Sequence, residues 1–325
     1  MKDFVDFTNE KRNLGQYYTT TNPFHHNAFK LWSQKANLFD NNVLEPFAGS
    51  NNLIKMLLKD NSISSYTSYD INPTSGEVLS RDTLLDFPRG FHVAITNPPY
   101  LAKNSAKRRG LFYPVSEYDD LYKHSLDIML RHVSYVAAIV PDSLLTSGLF
   151  RERASDFITL NTGMFDDTEH PVCLALFGEE IINGGPLLWL GEKKVGRLDE
   201  LEKTIPNVEQ GIKWKFNDPS GYVGLKALDS PKGKTISFVR GEEIDSKCVK
   251  VSARALTRIS APDINIKKAD DIIDCANSIL FDIRKKTSDM LLTSFKGLRQ
   301  DGHYRKRLDF KLARSILNAS YNQVC

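Results

Sequence analysis

Asn97-Pro98-Pro99-Tyr100 sets an amide, two rigid prolines and an aromatic ring in four consecutive positions. They come directly after Phe91-His92-Val93-Ala94-Ile95-Thr96, an apolar run that reads as a short buried strand. Two prolines stop a strand and stiffen the backbone after it. The Asn97 amide is therefore held at the strand's carboxyl end beside Tyr100. In an open α/β sheet that edge is where ligands bind. The arrangement suits an exocyclic amino group on a planar ring. The Asn97 side-chain oxygen and the Pro98 carbonyl accept its two N–H bonds, and Tyr100 stacks on the ring face. For four residues taken alone, an ordinary strand-to-loop turn competes with that reading.

A glycine loop and two acids precede this segment. Leu44-Glu45-Pro46-Phe47-Ala48-Gly49-Ser50-Asn51-Asn52 follows a predicted strand over 42–45 and leads into a predicted helix over 53–59, with Asn51 or Asn52 as its cap. Gly49 permits a tight turn and close backbone approach to a ligand. A single glycine is not the GxGxxG dinucleotide fingerprint. A second predicted strand, 65–71, ends in Tyr69-Asp70-Ile71-Asn72-Pro73, and Asp70 lies 21 residues after Gly49. An acid there can accept both hydroxyls of a ribose, and Ile71 can flank the attached base. Asp82, in Ser80-Arg81-Asp82-Thr83-Leu84-Leu85, can accept a bond from an adenine amino group. Each carboxylate alone is an ordinary loop residue; the ordered series of loop, acid, acid and NPPY is the stronger signal.

The elements that must position these residues alternate. Helical spacing over 120–130 is followed by buried-type strands over 135–140, ended by Pro141, and over 172–177. Strands separated by helices predict an α/β, doubly wound, mostly parallel sheet. The pattern fades at Asn183-Gly184-Gly185-Pro186, a breaker cluster that sets the expected boundary between domains 1–185 and 186–325. The run 305–314 reads either as a basic amphipathic helix or as a segment that packs its apolar side and solvates the rest, the commoner outcome.

The chain of 325 residues is 41% hydrophobic and 26% charged, ordinary values for a globular protein. No stretch reaches the roughly 18 apolar residues of a membrane span, and the N-terminus lacks an apolar signal region, so a cytoplasmic location is expected. Cys173, Cys248, Cys275 and Cys325 are scattered, which indicates neither a zinc site nor a disulfide framework, and no metal is expected. None follows a proline, so the Pro-Cys nucleophile of ring-carbon cytosine methylation is missing. The net charge of +3 divides into −5 over residues 1–190 and +8 over 191–325. From charge alone the basic half reads equally as a surface that meets a polyanion and as an ordinary solvated basic surface.

With these motifs in order, the sequence resembles the S-adenosylmethionine-dependent N6-adenine DNA methyltransferases in which cofactor motifs precede the DNA-recognition domain, as in type II restriction–modification. The resemblance spans about residues 13–180 and implies a Rossmann-like methyltransferase sheet with a second, basic C-terminal domain of mixed structure. Gly15-Gln16-Tyr17-Tyr18-Thr19-Thr20 matches the segment that binds the methionine end of the cofactor, so Gln16, Tyr17, Tyr18 and Thr19 are expected there. Glu45, Pro46, Phe47, Ala48 and Gly49 match the glycine loop, Asp70 with Ile71 the ribose acid and its neighbour, and Asp82 the adenine-contacting acid. Asn97, Pro98, Pro99 and Tyr100 match the catalytic tetrapeptide without a substitution, Pro141-Asp142-Ser143-Leu144-Leu145 resembles a later catalytic-domain motif, and Phe165 resembles the aromatic that stacks on a flipped base.

The resemblance implies double-stranded DNA as substrate, no membrane, no metal, and a cognate restriction endonuclease as a partner in function. Lys103, Lys107, Arg108 and Arg109 form a basic loop directly after the tetrapeptide and are expected to hold DNA phosphates, together with Arg305 and Arg307. The mixed runs Lys213-Trp214-Lys215-Phe216 and Gly302-His303-Tyr304-Arg305-Lys306-Arg307, with Arg254 and Arg258, are further candidates. Adenine in structured RNA, a protein glutamine side chain and cytosine N4 are the rival acceptors of the same chemistry. A non-catalytic DNA-binding module is the rival outside enzymes.

Overall fold

In a computed structural model the described residues are 19–160, 164, 170–207, 211–250, 254–262 and 268–325. The chain divides into two units, Met1–Lys193 and Lys194–Cys325.

The first unit contains strands β1 (Asn42–Glu45), β2 (Ser65–Asp70), β3 (Leu79–Ser80), β4 (Val93–Thr96), β5 (Tyr135–Pro141), β6 (Ala154–Leu160), β7 (Val172–Phe177) and β8 (Leu187–Leu190). Their order is β3-β2-β1-β4-β5-β7-β6-β8, with β9 (Lys193–Arg197) following β8 at the boundary between the units. The first five positions follow the Rossmann order 3-2-1-4-5. Their pairings are all parallel, as is β6 with β8. Strand β7 runs antiparallel, to β5 on one side and β6 on the other. The sheet is therefore mixed α/β and mostly parallel, as the alternating pattern implies. Its inner strands are continuous apolar runs because the sheet is covered on both faces. Every residue of β4 and β7 is buried.

Among the described residues this unit has helices α1 (Asn27–Lys35), α2 (Asn52–Lys59), α3 (Lys103–Arg109) and α4 (Leu121–His132). Trp32 of α1 is buried and donates its indole N–H to the Phe177 carbonyl at 2.8 Å, which ties the helix to β7. Asn51 is the residue before α2, but at φ 61° it makes no capping bond; its side-chain oxygen instead accepts from Ser68 at 2.8 Å. The units part at Lys193/Lys194, eight residues beyond the expected boundary, and the Asn183-Gly184-Gly185-Pro186 cluster is a turn ahead of it. Gly184 and Gly185 take φ 82° and 72°, and β8 then returns to the sheet beside β6.

The second unit holds a four-stranded antiparallel sheet of β10 (Lys215–Phe216), β11 (Val223–Lys226), β12 (Ser237–Arg240) and β13 (Leu256–Ser260), in the order β10-β13-β11-β12. Helix α5 (Leu198–Glu202) precedes it, and α6 (Ala269–Thr287), the hairpin β14 (Thr293–Leu298)–β15 (Tyr304–Arg307) and α7 (Phe310–Val324) follow. Ile272, Ile273, Ala276, Leu280 and Ile283 give α6 an apolar stripe at helical spacing, packed with Ile316 and Leu317 of α7 and with Val223, Phe238 and Ile259 of the sheet. Asp309 caps α7 by accepting the Leu312 N–H at 2.8 Å. The run 305–314 is thus in two parts: 304–307 is a strand, and the helix starts only at Phe310.

A buried charge cluster ties this unit together. Asp229 is fully buried and accepts from Arg284 at 2.8 and 3.0 Å and from Arg299 at 3.0 Å. Arg284 and Lys234 also reach Asp289, at 2.7 and 2.9 Å. Burial pushes the Asp289 carboxyl up, but Arg284 and then Lys234 outweigh it and hold it down at about 2. The stability Asp289 contributes is thus present above the ordinary carboxylate range and lost as pH falls through about 2. Asp229→Asn leaves two buried guanidinium groups facing a neutral amide. It is expected to destabilise the unit by about 3–5 kcal/mol, measured as a lower urea midpoint.

Candidate active site

Register sets the site. Glu45 of β1 lies opposite Ser68 of β2, and Val43 and Leu44 lie opposite Val93 and Ala94 of β4. The residues that follow β1, β2 and β4 therefore emerge along one edge. Strand order also reverses at β1, which has β2 on one side and β4 on the other, and such a switch point opens a crevice.

The β1–α2 loop is folded by backbone bonds and by one acid. Ala48 N–H donates to the Tyr69 carbonyl at 2.9 Å, and Gly49 N–H to the Asp70 carboxylate at 2.8 Å. Gly49 sits at φ 51°, a conformation that favours glycine. The second Asp70 oxygen accepts the Asn72 N–H at 2.8 Å. An ionised carboxylate has about four acceptor sites, so Asp70 can shape both loops and still accept a diol. Asp82 caps its own turn, accepting the N–H groups of Leu84 and Leu85 at 3.1 and 3.3 Å. Thr83 ties that turn to the glycine loop through the Pro46 carbonyl at 2.8 Å.

Asn97 follows β4. Its amide nitrogen lies 3.4 Å from Thr19 Oγ1, and its oxygen accepts from the Tyr100 hydroxyl at 2.6 Å. The same hydroxyl lies 2.8 Å from the Ile139 carbonyl, so one proton serves two acceptors. Tyr100 is buried, edge-on to Tyr122 at 6.1 Å and tilted against His170 at 6.0 Å between ring centroids. His170 is thus an aromatic partner of Tyr100 that sequence reasoning missed; Phe165 lies outside the described residues, as do Gln16, Tyr17 and Tyr18.

A cavity of about 310 Å³ joins these loops. Of the sequence-predicted residues, Thr19, Glu45, Phe47, Ala48, Gly49, Asp70, Ile71, Asp82, Asn97 and Pro99 line it. Pro46, Pro98 and Tyr100 are not in the lining. The sequence reading missed the apolar part of the mouth, where Leu85 and Phe112 are exposed alongside Ile71. Exposed large apolar side chains in turns are the signal that points to them.

Glu45 is the unusual acid of the cavity. Burial pushes it up to about 8, although the Thr96 hydroxyl at 2.5 Å and the Phe47 N–H at 3.0 Å favour its charged form; nearby Asp70 adds to the rise. Glu45 is therefore protonated at neutral pH. A cationic ligand in the cavity stabilises the carboxylate, so its binding releases a proton. Affinity for such a ligand is expected to rise with pH up to about 8 and then level off. Glu45→Gln is expected to flatten that profile, with proton release read by titration calorimetry in buffers of different ionisation enthalpy.

The basic segment after the tetrapeptide is a helix, α3, and not a loop. Ala102 and Asp120 form a bridge at its base, Lys103 N–H donates to the Asp119 carbonyl at 2.8 Å, and Ala106 is buried. Gly110, at φ 66°, ends the helix. Lys103, Lys107, Arg108 and Arg109 are all exposed on it. Lys103 also reaches the Ser116 carbonyl at 3.1 Å.

In the second unit most predicted DNA contacts are occupied internally. Trp214 is buried and donates to Asn318 at 2.8 Å, and Phe216 stacks on Phe310 at 4.6 Å. Arg258 holds the Ile244 and Pro219 carbonyls. Strand alternation buries Tyr304 and Lys306 and leaves Arg305 and Arg307 half-buried. Arg305 donates to the Asp229 carbonyl at 2.7 Å and lies over the Phe295 ring. Arg254 is exposed.

Among the described residues no group of three or more His, Cys, Asp and Glu could hold a metal ion, and no helix is long and apolar enough to cross a membrane.

No family model and no curated protein matches the chain. Among solved structures it is similar to a protein from Listeria monocytogenes described as a class I S-adenosylmethionine-dependent methyltransferase, at 14% identity over 51% of this chain and 64% of that one, TM-score 0.37. It is similar to a type I restriction–modification methyltransferase subunit from Streptococcus thermophilus, at 16% identity over 54% of this chain and 50% of that one, TM-score 0.37. It is also similar to a protein from Pyrococcus horikoshii described as an RNA methyltransferase, at 16% identity over 53% and 89%, TM-score 0.37. The chain spans less than two-thirds of the Listeria and Streptococcus proteins. Likeness at this level assigns no activity, and the fold rests on the strand order and register above.

Proposed function

We propose that this chain transfers a methyl group from S-adenosylmethionine to N6 of an adenine in double-stranded DNA, as the modification enzyme of a restriction–modification pair. One observation carries the reading: Asn97, at the carboxyl end of β4, lines the same switch-point cavity as Gly49, Asp70 and Asp82. The donor set fits the cofactor. Asp70 has acceptor sites left for the ribose hydroxyls, Asp82 accepts from the adenine amino group, and exposed Ile71 covers the base. The cavity's volume is within the range of small-molecule sites. Thr19 and Glu45 line the same cavity and are left for the cationic methionine end, with Gln16, Tyr17 and Tyr18 assigned beside them by resemblance alone.

When bound, the cofactor supplies an electrophilic methyl group. The chain's own residues prepare the nucleophile. The target adenine must leave the helix, because its amino group is paired and stacked. The Asn97 oxygen, which also accepts from Tyr100, takes one N6–H bond while the Pro98 carbonyl takes the other. These bonds draw the nitrogen from the ring plane, so its lone pair becomes available. Holding both reactants in line supplies much of the acceleration, and the proton leaves to water. Tyr100 and Phe165 are the aromatics assigned to the base. The exposed cations of α3, and Arg254 and Arg307 of the second unit, are assigned to phosphates.

The test is incubation of the protein with labelled cofactor and mixed plasmid DNA, followed by mapping of N6-methyladenine at sequence resolution. A single methylated motif is expected. Label in RNA or protein with none in DNA would overturn the proposal.

A further inference from the structure

Two loop tips of the second unit meet on the buried charge cluster. The turn after β11 contains Ser230, Pro231, Lys232 and Gly233, and the β14–β15 hairpin tip contains Gln300, Asp301 and Gly302. Asp229 binds both: its carboxylate takes the Thr235 and Ile236 N–H groups from one and the Arg299 guanidinium from the other. The tips also touch directly, Gln300 N–H donating to the Pro231 carbonyl at 2.8 Å. Arg284, from the end of α6, anchors the same carboxylate. Buried ion pairs stabilise less than apolar packing of equal volume, and a positional role is their best-attested use. What this cluster positions is the pair of tips.

We infer that the two tips form a base-reading element for duplex DNA, an inference that rests on the methyl-transfer reading above. Lys232 and Gln300 are exposed, and neither side chain has a hydrogen-bond partner among the described residues. Their donors and acceptor are free for base edges: a lysine ammonium suits guanine O6 and N7, and a glutamine amide pairs with adenine N6 and N7. The Asp301 carboxylate is neutralised by Arg299 at 2.9 Å, so it does not repel a polyanion strongly. Exposed Lys285 and Lys286, beside Arg284 on α6, add local positive charge against exposed Asp282. Contact groups held on a rigid support discriminate better than groups on mobile loops. Arg305, by contrast, is engaged in holding Asp229.

The test compares wild type with Lys232→Ala/Gln300→Ala, both mapped for N6-methyladenine on the same plasmids. The double variant is expected to relax the motif at one or two positions and to lower kcat/KM at the wild-type motif by roughly 10–10²-fold. Cofactor affinity and urea midpoint are expected to stay at wild-type values, because both side chains are on the surface. An unchanged motif, with kcat/KM either unchanged or lowered equally on all sequences, overturns base reading while leaving DNA methylation standing. A wild-type protein that labels no DNA overturns the parent reading, and this inference with it.

Discussion

Asn97→Ala is expected to lower methyl transfer by on the order of 10³-fold, in the range seen when one preorganised hydrogen-bonding group is removed from a reacting centre. Alanine removes the oxygen that accepts from N6, and the Pro98 carbonyl alone cannot pull the nitrogen out of conjugation. The side chain meets Thr19 at 3.4 Å and Tyr100 at 2.6 Å, and Tyr100 keeps the Ile139 carbonyl as an acceptor at 2.8 Å. The loop therefore survives, and cofactor affinity is expected to stay within a few-fold of wild type. Single-turnover methylation of plasmid DNA, with calorimetry of cofactor binding, separates the two quantities. Turnover within tenfold of wild type would remove Asn97 from the chemistry.

Asp70→Ala is expected to act on the other quantity. Each hydrogen bond from a ribose hydroxyl to this carboxylate is worth about 1.5–3 kcal/mol, so cofactor affinity is expected to fall by at least about 10²-fold. The Gly49 and Asn72 N–H groups, both 2.8 Å from the carboxylate, lose their acceptor at the same time, which loosens the glycine loop. KM for the cofactor rises, and turnover recovers in part as the cofactor is raised. A variant that binds with wild-type affinity would show that this cavity does not hold the ribose. The two substitutions thus divide the site into a part that binds and a part that reacts.

The strands most legible in the sequence are those buried on both faces. Val93-Ala94-Ile95-Thr96 and Val172-Cys173-Leu174-Ala175-Leu176-Phe177 are unbroken runs, and each is a strand with every residue buried. Strand β6 was not legible: Ala154-Ser155-Asp156-Phe157-Ile158-Thr159-Leu160 mixes polar and apolar residues and is only partly buried. Helix α3 was not legible either, because Lys103-Asn104-Ser105-Ala106-Lys107-Arg108-Arg109 has one apolar side chain and no amphipathic period. It is helical because the chain closes on itself at Ala102 and Asp120 and buries Ala106. The direction of β7 was hidden for a similar reason, since a buried run has the same composition whichever way it points.

By itself the sequence determined which residues could do chemistry and in what order they arrive: a glycine loop, two acids and NPPY, with the loop and NPPY each after a predicted strand and the first acid at the end of one. These are local properties, set by residue type and by the backbone limits of glycine and proline. Only the tertiary structure decided that Gly49, Asp70, Asp82 and Asn97 share one cavity, because parallel register brings together strand ends that lie far apart in the chain. It also decided which cations remain free. Lys306 and Arg305 look like phosphate ligands in sequence, but strand alternation and the Asp229 cluster turn both inward, whereas Lys232 and Gln300 stay at the surface on the turns that cluster holds. Charge is written in the composition; whether it faces solvent or a buried carboxylate depends on contacts between segments far apart in the chain.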